Sequence, residues 1–157
     1  MSGTYDVQQV CENGHQINQC HRSQPQHSQK HCDKCGAKTI TKCPHCDCEI
    51  RGYYSVPGVI GGGRPDVPSH CRNCGSPYPW TESKIITAIR IFAEFGNLDD
   101  EEKKTIEQDI NNIAKDIPQA ELSAMRIKRI WDKCSNAGYE IVMEFASRTA
   151  AKVLQGQ

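Results

Sequence analysis

The chain has no net charge to work with: 19 basic residues balance 19 acidic ones over 157 positions. A protein that grips phosphate backbone by charge carries a strong basic excess, and this one does not. Split at residue 80, the first half holds 8 basic and 6 acidic residues and the second 11 and 13, so neither half hides an excess. Aromatic residues make up only 6 % and the mean hydropathy is -0.64. No apolar run approaches the roughly 18 residues that span a bilayer. The opening "MSGTYDVQQV" lacks the basic start and apolar run of a secretory leader, so the expected location is the cytoplasm.

Cysteine is present in excess. There are ten, and nine of them precede residue 75. A segment that polar and that short buries little core and needs staples. In a reducing compartment thiols stay free, so paired Cys-x-x-Cys motifs point to zinc rather than to disulfides.

Composition changes abruptly at "PYPWTES", which sets a boundary near Trp80. The expected organisation is a double zinc ribbon over 1–80 and a four-helix segment over 81–157. The fold class is then a small metal-bound α+β protein: short β-hairpins in tandem zinc ribbons followed by an α-helical bundle.

The helical half repeats its apolar residues at three- and four-residue steps. Thr81 is a candidate cap for a first helix carrying Ile85, Ile89, Phe92 and Ala93, with Gly96 as its stop. Asp99 and Glu102 form a capping-box pattern ahead of Ile106, Ile110, Ile113 and Ile117. Pro118 opens a third helix with Leu122, Met125, Ile127, Ile130 and Trp131. After a break at Asn136 and Gly138, a fourth runs from Ile141 to Leu154. The lone Cys134 reads as a packed small hydrophobe, and "SRTAAK" (Ser147 to Lys152) as helix surface.

Four knuckles can aim ligands at a metal: Cys11 with His15, Cys32 with Cys35, Cys43 with Cys46, and Cys71 with Cys74. Two intervening residues let a tight turn direct both sulfurs at one ion, and Gly36 and Gly75 relieve the turn by taking positive φ. A tetrahedral ion needs two knuckles. Chain order gives Cys11, His15, Cys32 and Cys35 for one ion and Cys43, Cys46, Cys71 and Cys74 for another. The alternative gathers Cys32, Cys35, Cys43 and Cys46 around a single ion, since only seven residues separate the two pairs. Chain order is preferred because the alternative leaves the outer knuckles to meet across the whole region. Cys20, His21, His27 and His31 compete with His15 for the first site, and Cys48 with Cys46 for the second. His45 and His70 read as neighbours of ligands. Ser55 to Ser69 holds four glycines and three prolines and reads as a flexible excursion. Its "GGGR" lacks the lysine and following helix of a phosphate loop.

With "VCENGH", "KCGAKTITKCPHC", "IRGYY", "CRNCGSPYPWTE" and "EIVMEFASRTAAKVL" in view, the chain resembles domain of unknown function family 2321, a bacterial family. The resemblance covers nearly the whole chain. It implies tandem zinc ribbons before a helical segment and the same eight ligands, and it implies no activity.

The leading functional expectation is a non-enzymatic adaptor or regulatory protein. Two structural Zn²⁺ ions present a surface, and the helical module binds a protein partner or itself. Tyr53, Tyr54, Tyr78 and Trp80 supply aromatics of the kind interfaces favour. The competing expectation for Tyr53, Tyr54, Tyr78 and Trp80 is that they plug the ribbons instead. One alternative is nucleic-acid binding, with Lys34, Lys38, Lys42, Arg51, Arg64 and Arg72 along one face and Tyr53 and Tyr54 as stacking platforms. A second is electron transfer through rubredoxin-like iron.

Overall fold

The computed structural model describes residues 2–130 and 136–156. They fall into two compact units, Met1–Trp80 and Thr81–Gln157. The architecture is small α+β, with two small antiparallel sheets followed by a bundle of helices.

In the first unit, β1 (Thr4–Val7) pairs with β5 (Arg51–Ser55), placing Tyr5 opposite Tyr54. The second sheet has the order β3-β2-β4, from β2 (Gln9–Cys11), β3 (Gln16–Asn18) and β4 (Thr39–Ile40). These strands are too short to hold a sheet by themselves. What holds them is a small core of Val10, Ile50, Cys43, Cys71, Tyr78 and Trp80. Tyr78 and Trp80 stack at 4.7 Å between ring centroids, and the Trp80 indole donates to the Pro68 carbonyl at 2.9 Å. Those two aromatics therefore plug this unit's core. Tyr54, at 45 % exposure, faces solvent.

Gly52 sits in β5 because nothing larger fits. A β-carbon there would lie 2.7 Å from the Val7 carbonyl carbon and 2.8 Å from the Gln8 nitrogen. The glycine-rich excursion is tethered on its return. The buried Gln8 side chain donates to the Arg51 and Asp66 carbonyls at 2.6 and 3.1 Å. Gln16 donates to the Pro65 carbonyl at 2.9 Å and accepts from Arg64. Only its tip stands free, with Ile60 fully exposed.

The second unit has five helices among the described residues: α1 (Pro79–Phe95), α2 (Asp100–Ile113), α3 (Pro118–Ile130), α4 (Asn136–Phe145) and α5 (Arg148–Gln155). Helix α1 starts at Pro79, two residues before the expected cap, and buries Ile85, Ala88 and Phe92 while Ala93 is exposed. The α2 capping box is present. The Asp99 carboxylate accepts from the Glu102 amide at 2.8 Å, and the Glu102 carboxylate accepts from the Asp99 amide at 3.0 Å.

Two further helix readings need correction. In α3 the inward residues are Ala120, Ser123, Ala124 and Ile127, while Leu122 and Met125 are each 50 % exposed. Small residues let α3 approach α2 closely, and the Ser123 hydroxyl donates to the buried Asp109 carboxylate at 2.8 Å. The expected fourth helix is two helices. Ser147 ends the run because its amide donates to the Ile113 carbonyl at 2.7 Å, and its hydroxyl caps α5 by accepting from Ala150. Gly138 lies inside α4, where an added β-carbon would sit 3.4 Å from Ile91 and 3.6 Å from Phe92. Trp131 and Cys134 lie outside the described residues.

Candidate metal centres

Three of the knuckles are one structural element used three times. In each, the first cysteine's carbonyl accepts from the amide four residues on, at 2.8 Å (Cys32 from Gly36), 3.0 Å (Cys43 from Asp47) and 2.9 Å (Cys71 from Gly75). Its own amide donates to the carbonyl five residues on: Ala37, Cys48 and Ser76 in turn. A β-bridge closes each hairpin outside, His31 with Lys38, Lys42 with Glu49 and His70 with Pro77. The fourth residue after the first cysteine must turn left-handed, and its φ is 73° at Gly36, 57° at Asp47 and 74° at Gly75. Glycine takes that conformation freely, and aspartate is among the few side chains that tolerate it. Asp47 escaped the sequence reading because it is not glycine. Aligning "HCDKCGAK", "KCPHCDCE" and "HCRNCGSP" would have exposed it.

The Cys11 knuckle is built differently. It closes at the end of β2, where the Cys11 amide donates to the His15 carbonyl at 3.0 Å and Gly14, at φ 87°, donates to the Cys11 carbonyl at 2.8 Å.

These turns bring the eight residues into two groups, Cys11, His15, Cys32 and Cys35, and Cys43, Cys46, Cys71 and Cys74, with all ligand atoms of each group within 4.8 Å of one another. The grouping follows chain order and leaves Cys32 and Cys35 apart from Cys43 and Cys46. A tetrahedral zinc with bonds of about 2.3 Å to sulfur and 2.0 Å to nitrogen sets ligand–ligand edges of about 3.8 Å and 3.5 Å. The Cys11–Cys35, Cys43–Cys74 and Cys46–Cys71 sulfur pairs lie at 3.7, 3.7 and 3.6 Å. His15 Nδ1 lies 3.4 and 3.5 Å from the Cys11 and Cys32 sulfurs. Disulfide sulfurs would sit at about 2.05 Å. Both clusters can therefore hold a tetrahedral cation.

The surrounding amides favour thiolates. The Ala37 amide and the Asn13 side chain bring Cys35 down to about 6. At Cys71 burial opposes the charge, but the amides of Cys74 and Asn73 outweigh it and bring the thiol to about 6. Burial pushes Cys43 up to about 11. Burial and the neighbouring Cys71 also raise the Tyr78 hydroxyl, which stays neutral. Asn13 was not singled out from sequence, although its Nδ2 donates to the Cys35 sulfur at 3.3 Å.

The competing residues lie outside the two groups. His21 Nδ1 is 2.6 Å from the Ser28 hydroxyl. The Cys20 amide donates to the Asn18 carboxamide, and the Cys48 sulfur lies against the Glu49 carbonyl at 3.8 Å. His27, His31 and His45 are exposed and His70 is half-buried.

The model of a family described as uncharacterized protein conserved in bacteria matches residues 4–154. The chain belongs to domain of unknown function family 2321. The family resemblance read from the sequence thus holds over nearly the whole chain. No curated protein and no solved structure matches it. Among the described residues, no helix is long and apolar enough to cross a membrane.

Proposed function

We propose that the family 2321 chain is a zinc-stapled, non-enzymatic adaptor that acts in the cytoplasm by binding another protein. One observation carries this reading: each cluster supplies four protein donors at tetrahedral spacing. A site filled by four protein ligands keeps no position for a water or substrate, which is the signature of structural rather than catalytic zinc. Bound zinc would supply cross-links that a segment with so small a core lacks.

The imidazole of His15 favours zinc over iron in the first cluster, whereas four sulfurs suit either metal in the second. With both zincs in place, residues 1–80 would carry about -1 net charge, since three thiolates with a neutral histidine leave -1 and four thiolates leave -2. That balance disfavours nucleic acid. The β1–β5 ribbon offers instead two half-exposed tyrosines, Tyr5 and Tyr54, beside Arg51, a composition suited to protein interfaces.

Native mass spectrometry with elemental analysis of the same sample tests the metal reading. Two zincs per chain are expected, and one zinc, or iron, contradicts it. Oligonucleotide binding that weakens steeply with salt would move the protein to the nucleic-acid reading.

A further inference from the structure

We propose that the chain associates with a second copy of itself by exchanging loop tips. Val59 and Ile60 of each copy fill the apolar cleft between the β1–β5 ribbon and the Cys71–Cys74 hairpin of the other. This goes beyond the adaptor reading and does not depend on it.

The tip is built to project. Residues 56–63, "VPGVIGGG", carry no charge. Pro57 and Gly58, the latter at φ 79°, turn the chain so that the Val59 amide donates to the Val56 carbonyl at 3.2 Å. Ile60 is fully exposed and Val59 is 63 % exposed. A β-carbon added at Gly58, Gly61 or Gly63 would meet no atom within 4 Å, so nothing of the chain packs on the tip there. The stem is nevertheless fixed. Gln8 and Gln16 donate to the Asp66 and Pro65 carbonyls, and Tyr53 lies so close to Gly62 that a β-carbon there would sit 2.8 Å from its hydroxyl. An aliphatic knob on an ordered stem loses little entropy on docking.

The cleft has a volume of about 270 Å³, and the surface it exposes is almost entirely apolar. Tyr5, Gly52, Pro65, Pro68 and Tyr78 are among its walls. Its charged residues therefore contribute mainly carbon stems, and Glu49 and Asp66 balance Arg51 and Arg72. Such walls suit an uncharged tip. A cavity of about 150 Å³ accepts a benzene ring, so about 270 Å³ has room for the Val59 and Ile60 side chains.

The second copy is the occupant because the chain itself supplies both halves. Its own tip is anchored elsewhere: Tyr53, which holds Gly62, is not among the cleft's walls and lines a different concavity with Thr4, Cys20 and Ser55. About a twofold axis the exchange is reciprocal, each copy giving one tip and receiving one. Eight tip residues and ten cleft residues per copy approach the roughly 20–30 per side of a stable interface. A bilayer is a poorer occupant. The tip has no basic residue of its own, and the neighbouring Arg64 donates to Gln16.

The test is analytical ultracentrifugation of the full, zinc-loaded chain up to about 1 mM, the weak end of specific association. A monomer–dimer equilibrium is expected. Full burial of one aliphatic side chain is worth about ten- to hundredfold in affinity, and a twofold exchange loses two at once. Ile60→Ser should therefore raise the dimer Kd at least about a hundredfold while two zincs remain bound, and Ile60→Leu should keep the dimer. In a mixture of isotope-labelled and unlabelled chains, filtered NOEs should run from the Ile60 methyls to the Tyr5 and Tyr78 rings. A monomer throughout the range, a dimer indifferent to Ile60→Ser, or NOEs from Ile60 to other residues of the second copy overturns the proposal. Capture of a different protein by the Ile60 tip of a monomeric chain overturns it too, and assigns the tip to that partner's pocket. The adaptor reading is decided separately, by the zinc count and by partner binding.

Discussion

Replacing Cys43 by serine separates the two ways of grouping the knuckles. Cys43 is almost wholly buried, its sulfur 3.7 Å from that of Cys74. It also belongs to the small core with Ile50, Cys71, Tyr78 and Trp80. A structural zinc site contributes roughly 10–16 kcal/mol of apparent binding energy, so one ligand in four accounts for about 2.5–4 kcal/mol. At about 1.4 kcal/mol per tenfold, that is a loss of roughly 60- to 700-fold in affinity at the second site. The first site keeps Cys11, His15, Cys32 and Cys35. Cys43→Ser should therefore bind one zinc tightly and one weakly. Native mass spectrometry against a graded chelator reads the count, and amide spectra should move at Cys71 and Cys74 far more than at Cys32 and Cys35. Equal disturbance of both pairs, or tight binding of both zincs, would refute the reasoning.

Three further outcomes follow from the same geometry. Exhaustive chelation should unfold residues 1–80 while helical circular dichroism from α1 to α5 persists, and a metal-free protein that keeps its hairpins would contradict the staple role. Gly52→Ala should cost about 1–3 kcal/mol by overpacking against Val7 and Gln8, and an unchanged thermal midpoint would show that the strands can part. Gly75→Ala meets no atom within 4 Å but forces alanine to φ 74°, a cost of about 1–2 kcal/mol. Asp47→Gly should show the opposite sign, and a loss of stability there would mean the Asp47 side chain contributes something beyond backbone conformation.

The metal clusters were legible because a Cys-x-x-Cys turn is local. Its spacing alone directs two sulfurs the same way, and two such turns complete a tetrahedron. His15 was harder to choose among four neighbours, and what brings it in is the Gly14 turn together with the closure of Cys11 onto the His15 carbonyl. The inward face of α3 was misread because Leu122 and Met125 are the larger apolar residues, while close approach to α2 selects Ala120 and Ala124. The break before α5 turned on Ser147, whose capping role competes with an otherwise continuous apolar stripe.

The pairing of β1 with β5 sets the order in which the chain can be completed during synthesis. All four ligands of the first cluster have been made once Cys35 is in place, but β1 must wait for Arg51–Ser55 before it has a partner. At roughly 5–20 residues per second, the twenty residues from Gly36 to Ser55 take about 1–4 s to make. In that interval the first metal can be captured while Tyr5 and Val7 are still unpaired. An arrested nascent chain ending before Arg51 would then hold one zinc and an open N-terminal strand. The clasp that finishes the first ribbon is delivered midway through the second, so neither ribbon can be cut from the other and remain whole.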